Sequence, residues 1–200
     1  MKDKCYIIAS LGRCGSQLMT ETIHKHVWGD VEYPKTFLKK TRPFIRSYPS
    51  DFKNGVVYKT HLYPTQYPKN CKVVFTFGNP TDIILSVIRK SKDPSWGYAH
   101  FQNLAANWQD FPKIMERDVL NLEKMFDAFY REQDFDLMCV RYETLWENEE
   151  KMSDFFETDF KMPIKQERVA NEQRKNLTDL QIQTLENGYS SLIEKIKKAE

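Results

Sequence analysis

Short apolar runs alternate with stretches of helical periodicity along this chain. Residues 5–10 are an apolar run with β-branched members; Leu11-Gly12-Arg13-Cys14-Gly15-Ser16 follows, and then Leu18, Met19, Thr22, Ile23 and Val27 recur at helical spacing. The pattern predicts strand, tight loop and helix. Gly55 to His61 and Cys71 to Phe77 read as two further strands, the second nearly continuous in apolar residues, as suits buried parallel strands. Asn79-Pro80-Thr81-Asp82 then offers an N-cap, a proline at the first helical position and an acid in the first turn, opening a helix through Ile83, Ile84, Val87 and Ile88. Helices are expected over residues 98–111 and 117–132, and Asp136 to Tyr142 reads as another strand. Thr178-Asp179-Leu180-Gln181 has capping-box spacing and opens a C-terminal helix carrying Leu185, Tyr189, Leu192 and Ile196. Strands alternating with helices predict an α/β, three-layer fold with a central parallel sheet flanked by helices. Ligands of such sheets bind beyond the carboxyl ends of the strands, and four segments fall there: Gly12 to Ser16, Lys59 to His61, Gly78 to Asn79, and Tyr142.

The 200 residues fit one domain, taken as 1–200, since no repeat, low-complexity tract or Pro/Gly/Ser linker divides them. Thirty basic against 28 acidic residues leave a net charge of +2, which gives no reason to expect a nucleic-acid partner. No apolar stretch approaches the roughly 18 residues of a membrane span, and the run after Lys4 is too short for a signal-peptide core, so the expectation is a cytoplasmic protein or one whose targeting segment has been removed. Cys5, Cys14, Cys71 and Cys139 form no C-x-x-C pair, and His24 and His26 are too close in sequence to share a helix face. No metal site is expected, and apart from His61 the histidines read as solvated polar residues. The acid-free stretch Lys35, Lys39, Lys40, Arg42, Arg46 is either a solvated face or a rim that attracts an anionic ligand.

Glycine is scarce here, seven in all, yet Gly12 and Gly15 fall together between a strand and a helix. Glycine permits positive φ and close approach of backbone amides to a ligand, and the helix N-terminus behind it carries partial positive charge, so the loop suits an anion with several oxygens. A Walker A loop would place lysine after Gly15; this chain has Ser16, with Arg13 inside the loop, which argues against an ordinary ATPase or kinase. A cysteine phosphatase is disfavoured because Thr20, not arginine, stands six positions after Cys14. A plain strand-to-helix turn remains the bland alternative. By the period of two, Lys59 and His61 share one face at a strand end, an amine and an imidazole suited to electrostatic stabilisation and proton removal.

With these residues in view, the loop Leu11 to Leu18 resembles the 5′-phosphosulfate loop of the sulfotransferases that use 3′-phosphoadenosine 5′-phosphosulfate (PAPS). Lys59-Thr60-His61-Leu62 and Pro64 look like that family's Lys-Thr-His-Leu-Pro segment, with His61 at the position of the catalytic base. Cys71 to Ser86, with Asn79, Pro80, Asp82 and Ser86, is similar to the strand and helix that hold the 3′-phosphate, and Arg141 to Leu145 looks like the strand end whose tyrosine, here Tyr142, lies near the adenine. The resemblance covers, with gaps, residues 5 to about 190. It implies a P-loop-like fold and in-line transfer of a sulfuryl group from PAPS to a hydroxyl or amine of a small-molecule or glycan acceptor, with no metal. His61 would remove the acceptor proton, Lys59 and Arg13 would stabilise charge, and Gly12, Arg13, Cys14, Gly15, Ser16 and Gln17 would hold the 5′ end. Gly78 stands where the family usually has arginine, and Arg174-Lys175-Asn176 only approximates its Arg-Lys-Gly loop. The expectation is therefore that Ser86, Arg89 and Arg174, with Lys175, replace the usual 3′-phosphate clamp. Two other readings stand beside this one: a P-loop kinase using ATP and magnesium, and a nucleotide-binding module without catalysis. Tyr33, Phe37, Phe44, Trp96, Tyr98 and Phe101 are either acceptor-pocket aromatics or core packing.

Overall fold

The computed structural model describes residues 1–165 and 174–199. Strand β1 (Cys5–Ser10) is buried at every position, as its unbroken apolar run requires. It lies mid-sheet between β3 (Val57–Thr60) and β4 (Cys71–Phe77), with the two-residue β2 (Phe44–Ile45) outside β3 and β5 (Leu137–Arg141) outside β4; the order is β2-β3-β1-β4-β5 and every pairing is parallel. Ile8 stands opposite Lys59 on one side and Val74 on the other, so β1, β3 and β4 end at one edge of the sheet.

Side chains alternate between two cores. Ile7, Ala9, Val73 and Phe75 pack beneath α3 (Pro80–Lys90) and the C-terminal helices, while Tyr6, Ile8 and Val74 pack beneath α1 (Ser16–Trp28). Helices on both faces of a parallel sheet make this the three-layer α/β architecture that the sequence predicts. The short α2 (Lys35–Thr41) follows α1 and leads to β2.

Several boundaries differ from expectation. In place of one helix over 98–111 there is α4 (Pro94–Asn103), opened by Asp93, whose carboxylate accepts from the amides of Ser95 and Trp96, and closed before Ala105, which takes φ +52°. A separate 3-10 turn, Trp108–Lys113, follows under the cap of Asn107. The helix expected over 117–132 is only α5 (Leu122–Phe129), because Asp118 accepts from the amides of Leu120 and Glu123 and holds the preceding residues in a turn. α6 (Glu149–Phe156), which the sequence reading did not delimit, covers the β1–β4 face through Met152 and Phe156.

At the C-terminus the capping box forms as predicted, with Thr178 accepting from the Gln181 amide, yet the helix is two helices, α7 (Asp179–Gly188) and α8 (Ser190–Lys198). Tyr189 breaks it: its buried hydroxyl lies 2.8 Å from the Ile114 carbonyl and 2.9 Å from that of Arg117. Gly188 has no room for a side chain, since a Cβ there would stand 2.5 Å from the Glu116 carbonyl oxygen. Cys5 and Cys71, distant in sequence, stand in register on β1 and β4 with their sulfurs joined. Among the described residues no helix is long and apolar enough to cross a membrane, and no three His, Cys, Asp or Glu side chains group as a metal site.

Candidate active site

The loop between β1 and α1 turns through three left-handed residues: Gly12 (φ +82°), Arg13 (φ +56°) and Gly15 (φ +84°). Such a run curls the backbone and turns successive amides inward. At Gly15 the freedom from a side chain is needed twice over, because a Cβ would also stand 2.4 Å from the Tyr142 ring. α1 then opens with no side-chain cap and no acid in its first turn, so nothing of its own neutralises the N-terminal amides of Ser16 and Gln17. Cys14 turns the other way: its sulfur donates to the Thr76 carbonyl at 3.0 Å inside the core, so only its backbone faces the loop.

Cations ring the loop. Arg13 Nε donates to the Ser86 hydroxyl at 3.0 Å, linking the loop to α3, and its guanidinium lies 5.7 Å from the Trp96 ring centre. Lys59 donates from Nζ to Gln17 Oε1 at 2.9 Å, tying β3 to the first turn of α1. Burial and the neighbouring Arg13 charge lower the Lys59 pKa.

His61 follows directly on β3. Its Nδ1 lies 3.0 Å from the Ser10 carbonyl and 3.0 Å from the Ser10 hydroxyl, which in turn accepts from the Gly12 amide. A carbonyl only accepts, so Nδ1 carries the proton and Nε2 the lone pair. Burial, with the Lys59 and Arg13 charges added, pushes the imidazole down to about 4, so it is neutral at physiological pH. The ring lines a cavity of about 110 Å³ together with Phe44, Ile45, Leu62, Tyr63 and Asn103.

The structure thus gathers Gly12, Arg13, Gly15, Ser16, Gln17, Lys59, His61, Ser86 and Tyr142 around one loop. The three residues of the expected clamp, Ser86, Arg89 and Arg174, stand in different surroundings. Ser86 is engaged by Arg13, and Arg174 pairs with Glu186 at 2.6 Å, lining a separate cavity of about 410 Å³ with Asn79, Thr81 and Arg141. Arg89 keeps a buried Nε with no hydrogen-bond partner among the described residues, and Lys175 is exposed beside Arg174. At Gly78 the space is taken by an acid: a Cβ would stand 3.1 Å from Glu143 Oε1, which accepts from the Asn79 amide, while Oε2 accepts from Arg141.

The expectation of solvated histidines fails for two of them. His24 is buried and bonded to the Thr41 hydroxyl at 2.9 Å, and His100 is buried over the loop, stacked on Trp96. The sequence signal that bears on His100 is its spacing of four from Trp96, which places both on one helix face. Of the six aromatics named as pocket candidates, Phe44 lines the His61 cavity and Trp96 backs His100. Tyr33 and Phe37 stack on each other beside Trp28, Phe101 is core, and Tyr98 is exposed.

No protein-family model and no curated protein matches this chain. Among solved structures it is similar to retinol dehydratase in complex with androsterone and the inactive cofactor PAP, at 12% identity and a TM-score of 0.47, over 94% of this chain and 68% of that one. It is also similar to mouse sulfotransferase SULT7A1 complexed with PAP, at 12% identity and a TM-score of 0.43, over 88% of this chain and 66% of that one. The chain spans about two thirds of the length of each.

Proposed function

We propose that this chain is a PAPS-dependent sulfotransferase acting on a hydroxyl of a small acceptor. The observation that carries the reading is the placement of a neutral, oriented imidazole, His61, at the edge of a cationic, glycine-bent loop. The residues present suit the donor: the loop amides and the uncapped start of α1 favour phosphate-type oxygens, and the Tyr142 ring packs directly on Gly15 at the edge of that loop. When bound, PAPS supplies a sulfuryl group whose leaving group is a phosphate.

The protein's own part is positioning and charge. Nε2 of His61 takes the acceptor proton, and the Ser10 carbonyl keeps that nitrogen unprotonated beforehand. Lys59 and Arg13 offset negative charge on oxygens near the loop. An anion seated between these cations also cancels part of the field that depresses His61, so the base strengthens when the donor side is filled. The cavity beside His61, with Phe44, Leu62 and Tyr63 in its wall, excludes water from the acceptor oxygen.

The test is transfer of radiolabelled sulfate from PAPS to a panel of small alcohols and phenols, with calorimetric titration of adenosine 3′,5′-bisphosphate and adenosine 5′-phosphate. A labelled product and preference for the bisphosphate support the reading. Stabilisation only by ATP with magnesium would favour the kinase reading instead. Glu143, with its carboxylate at Gly78, favours one second reading, a nucleotide-binding module whose ligand lacks the 3′-phosphate; equal affinities without turnover would establish it.

A further inference from the structure

Among the described residues, the buried side-chain nitrogen and oxygen atoms without a hydrogen-bond partner are Arg89 Nε, Ser91 Oγ, His100 Nε2 and Asn103 Oδ1, all between the last turn of α3 and the last turn of α4. Unpaired polar groups of this kind are uncommon in folded proteins, and each needs a reason. For His100 the reason is in its surroundings. The side chain is 6% exposed, and its ring is fixed by stacking on Trp96 (4.6 Å between centres, 17° between planes) and by an edge contact with His61 at 5.7 Å. It overhangs the loop: a Cβ on Gly12 would stand 3.0 Å from Cε1 and 3.2 Å from Nε2. The imidazole therefore packs directly on the loop, in room that any side chain at residue 12 would take.

We infer that His100 is a second, anion-contacting histidine of this site, donating a hydrogen bond from Nε2–H to an oxygen of a sulfate-type group held by the loop from Gly12 to Gln17. The inference rests on the anion-loop part of the proposed function, not on the identity of the nucleotide or on transfer itself. The ring is neutral, because burial and the nearby His61, Arg13 and Lys59 push its pKa down to about 3. A neutral imidazole offers one N–H and one lone pair. The charged side chains beside it, Arg13 and Lys59, attract an anion, and an anion needs the N–H. The two rings then divide the work: His61 presents a lone pair to the acceptor side, and His100 presents a proton it does not give up, serving as an electrophile in the manner of other neutral active-site histidines.

The decisive measurement is imidazole nitrogen NMR of the whole chain, titrated with sodium sulfate against sodium chloride at constant ionic strength. The expected result is a saturable movement of the His100 signal with Nε2 in its protonated form. Sulfate affinity is expected to fall roughly tenfold to hundredfold in His100→Leu, the effect of losing one hydrogen bond to a charged group, and to recover in His100→Gln, whose amide restores a donor. The inference is overturned by an unprotonated Nε2 at saturation, by a wild-type His100 signal that sulfate leaves unmoved, or by a His100→Leu affinity within about twofold of wild type. The wild-type spectra decide the matter even if a variant fails to fold. A chain that binds sulfate through His100 yet transfers nothing from PAPS would sink the transfer reading and leave this one standing.

Discussion

Lowering the pH from 7 to 5 perturbs the two rings that meet at the loop, and the size of the effect follows from their burial. Both histidines are held neutral in the folded chain, with pKa values pushed down to about 4 for His61 and about 3 for His100, against an ordinary 6.5. In the unfolded chain each takes up a proton as the pH falls through 6.5; in the folded chain neither does until about 4 or below. The unfolded state thus binds more protons in this window, and stability must rise with pH across it and be lost as pH falls. Between pH 7 and pH 5 each ring contributes about 2 kcal/mol of this loss, so the pair accounts for about 4 kcal/mol, a large share of the stability of an ordinary domain. His24, depressed by burial and by Arg42, adds in the same direction. Urea unfolding at the two pH values measures the loss, with a constant m-value as the check that the same transition is followed. His100→Phe keeps the stacked volume on Trp96 and removes one titrating ring, so its loss should be smaller than that of wild type by about 2 kcal/mol. An identical loss in wild type and variant would refute the argument, since the proton uptake would then belong to other groups.

Further expectations follow from the same geometry. His61→Ala should lower turnover by about 10² to 10⁴ while adenosine 3′,5′-bisphosphate still binds, measured by steady-state kinetics and calorimetry; near-normal turnover would remove His61 from the chemistry. Gly15→Val places a β-branched side chain at φ +84° and against the Tyr142 ring, so nucleotide binding should be lost in calorimetry and the melting temperature should fall. Arg13→Ala should weaken transfer with the melting temperature unchanged; a lowered melting temperature with transfer by the folded variant unchanged would make Arg13 a structural partner of Ser86. Tyr189→Phe removes the hydroxyl donor from the buried Ile114 carbonyl, while the Arg117 carbonyl keeps the Val119 amide, and should cost about 1 to 3 kcal/mol in urea unfolding.

The parts of the fold that the sequence announced are those whose cause is local. β1 and β4 are read at their true ends because both are almost wholly buried and so nearly continuous in apolar residues, and α3 declares itself through Asn79 and Pro80. The loop stands out through two glycines in a glycine-poor chain, and His61 through its place at a strand end. What sequence reading missed depends on partners far along the chain. Asn187-Gly188 before Tyr189 is a local stop signal that the apolar periodicity through Ile196 masks; the carbonyls of Ile114 and Arg117, which hold the Tyr189 hydroxyl, place the break there. The spacing of His100 from Trp96 puts both on one helix face, but only α4 laid over the loop shows that this face is buried. Arg174 reads in the sequence as a cation for a phosphate, and the fold gives it a carboxylate partner from α7, Glu186. Gly78 could be recognised as a missing arginine, but not that Glu143 would fill its place.

The group that orients His61 is the peptide carbonyl of Ser10, the last residue of the central strand. Where the orienting partner is a carboxylate or an amide side chain, one substitution deletes it. Here every amino acid at position 10 would supply the same oxygen. The tautomer of His61 is consequently insulated from point mutation and written into the strand's register instead: a slip of β1 by one residue against β3 would present a differently directed carbonyl and turn the lone pair away from the cavity. Directed variation at position 10 should therefore alter the contact with Gly12 while leaving the His61 tautomer intact, as ring-nitrogen NMR of the variants would show.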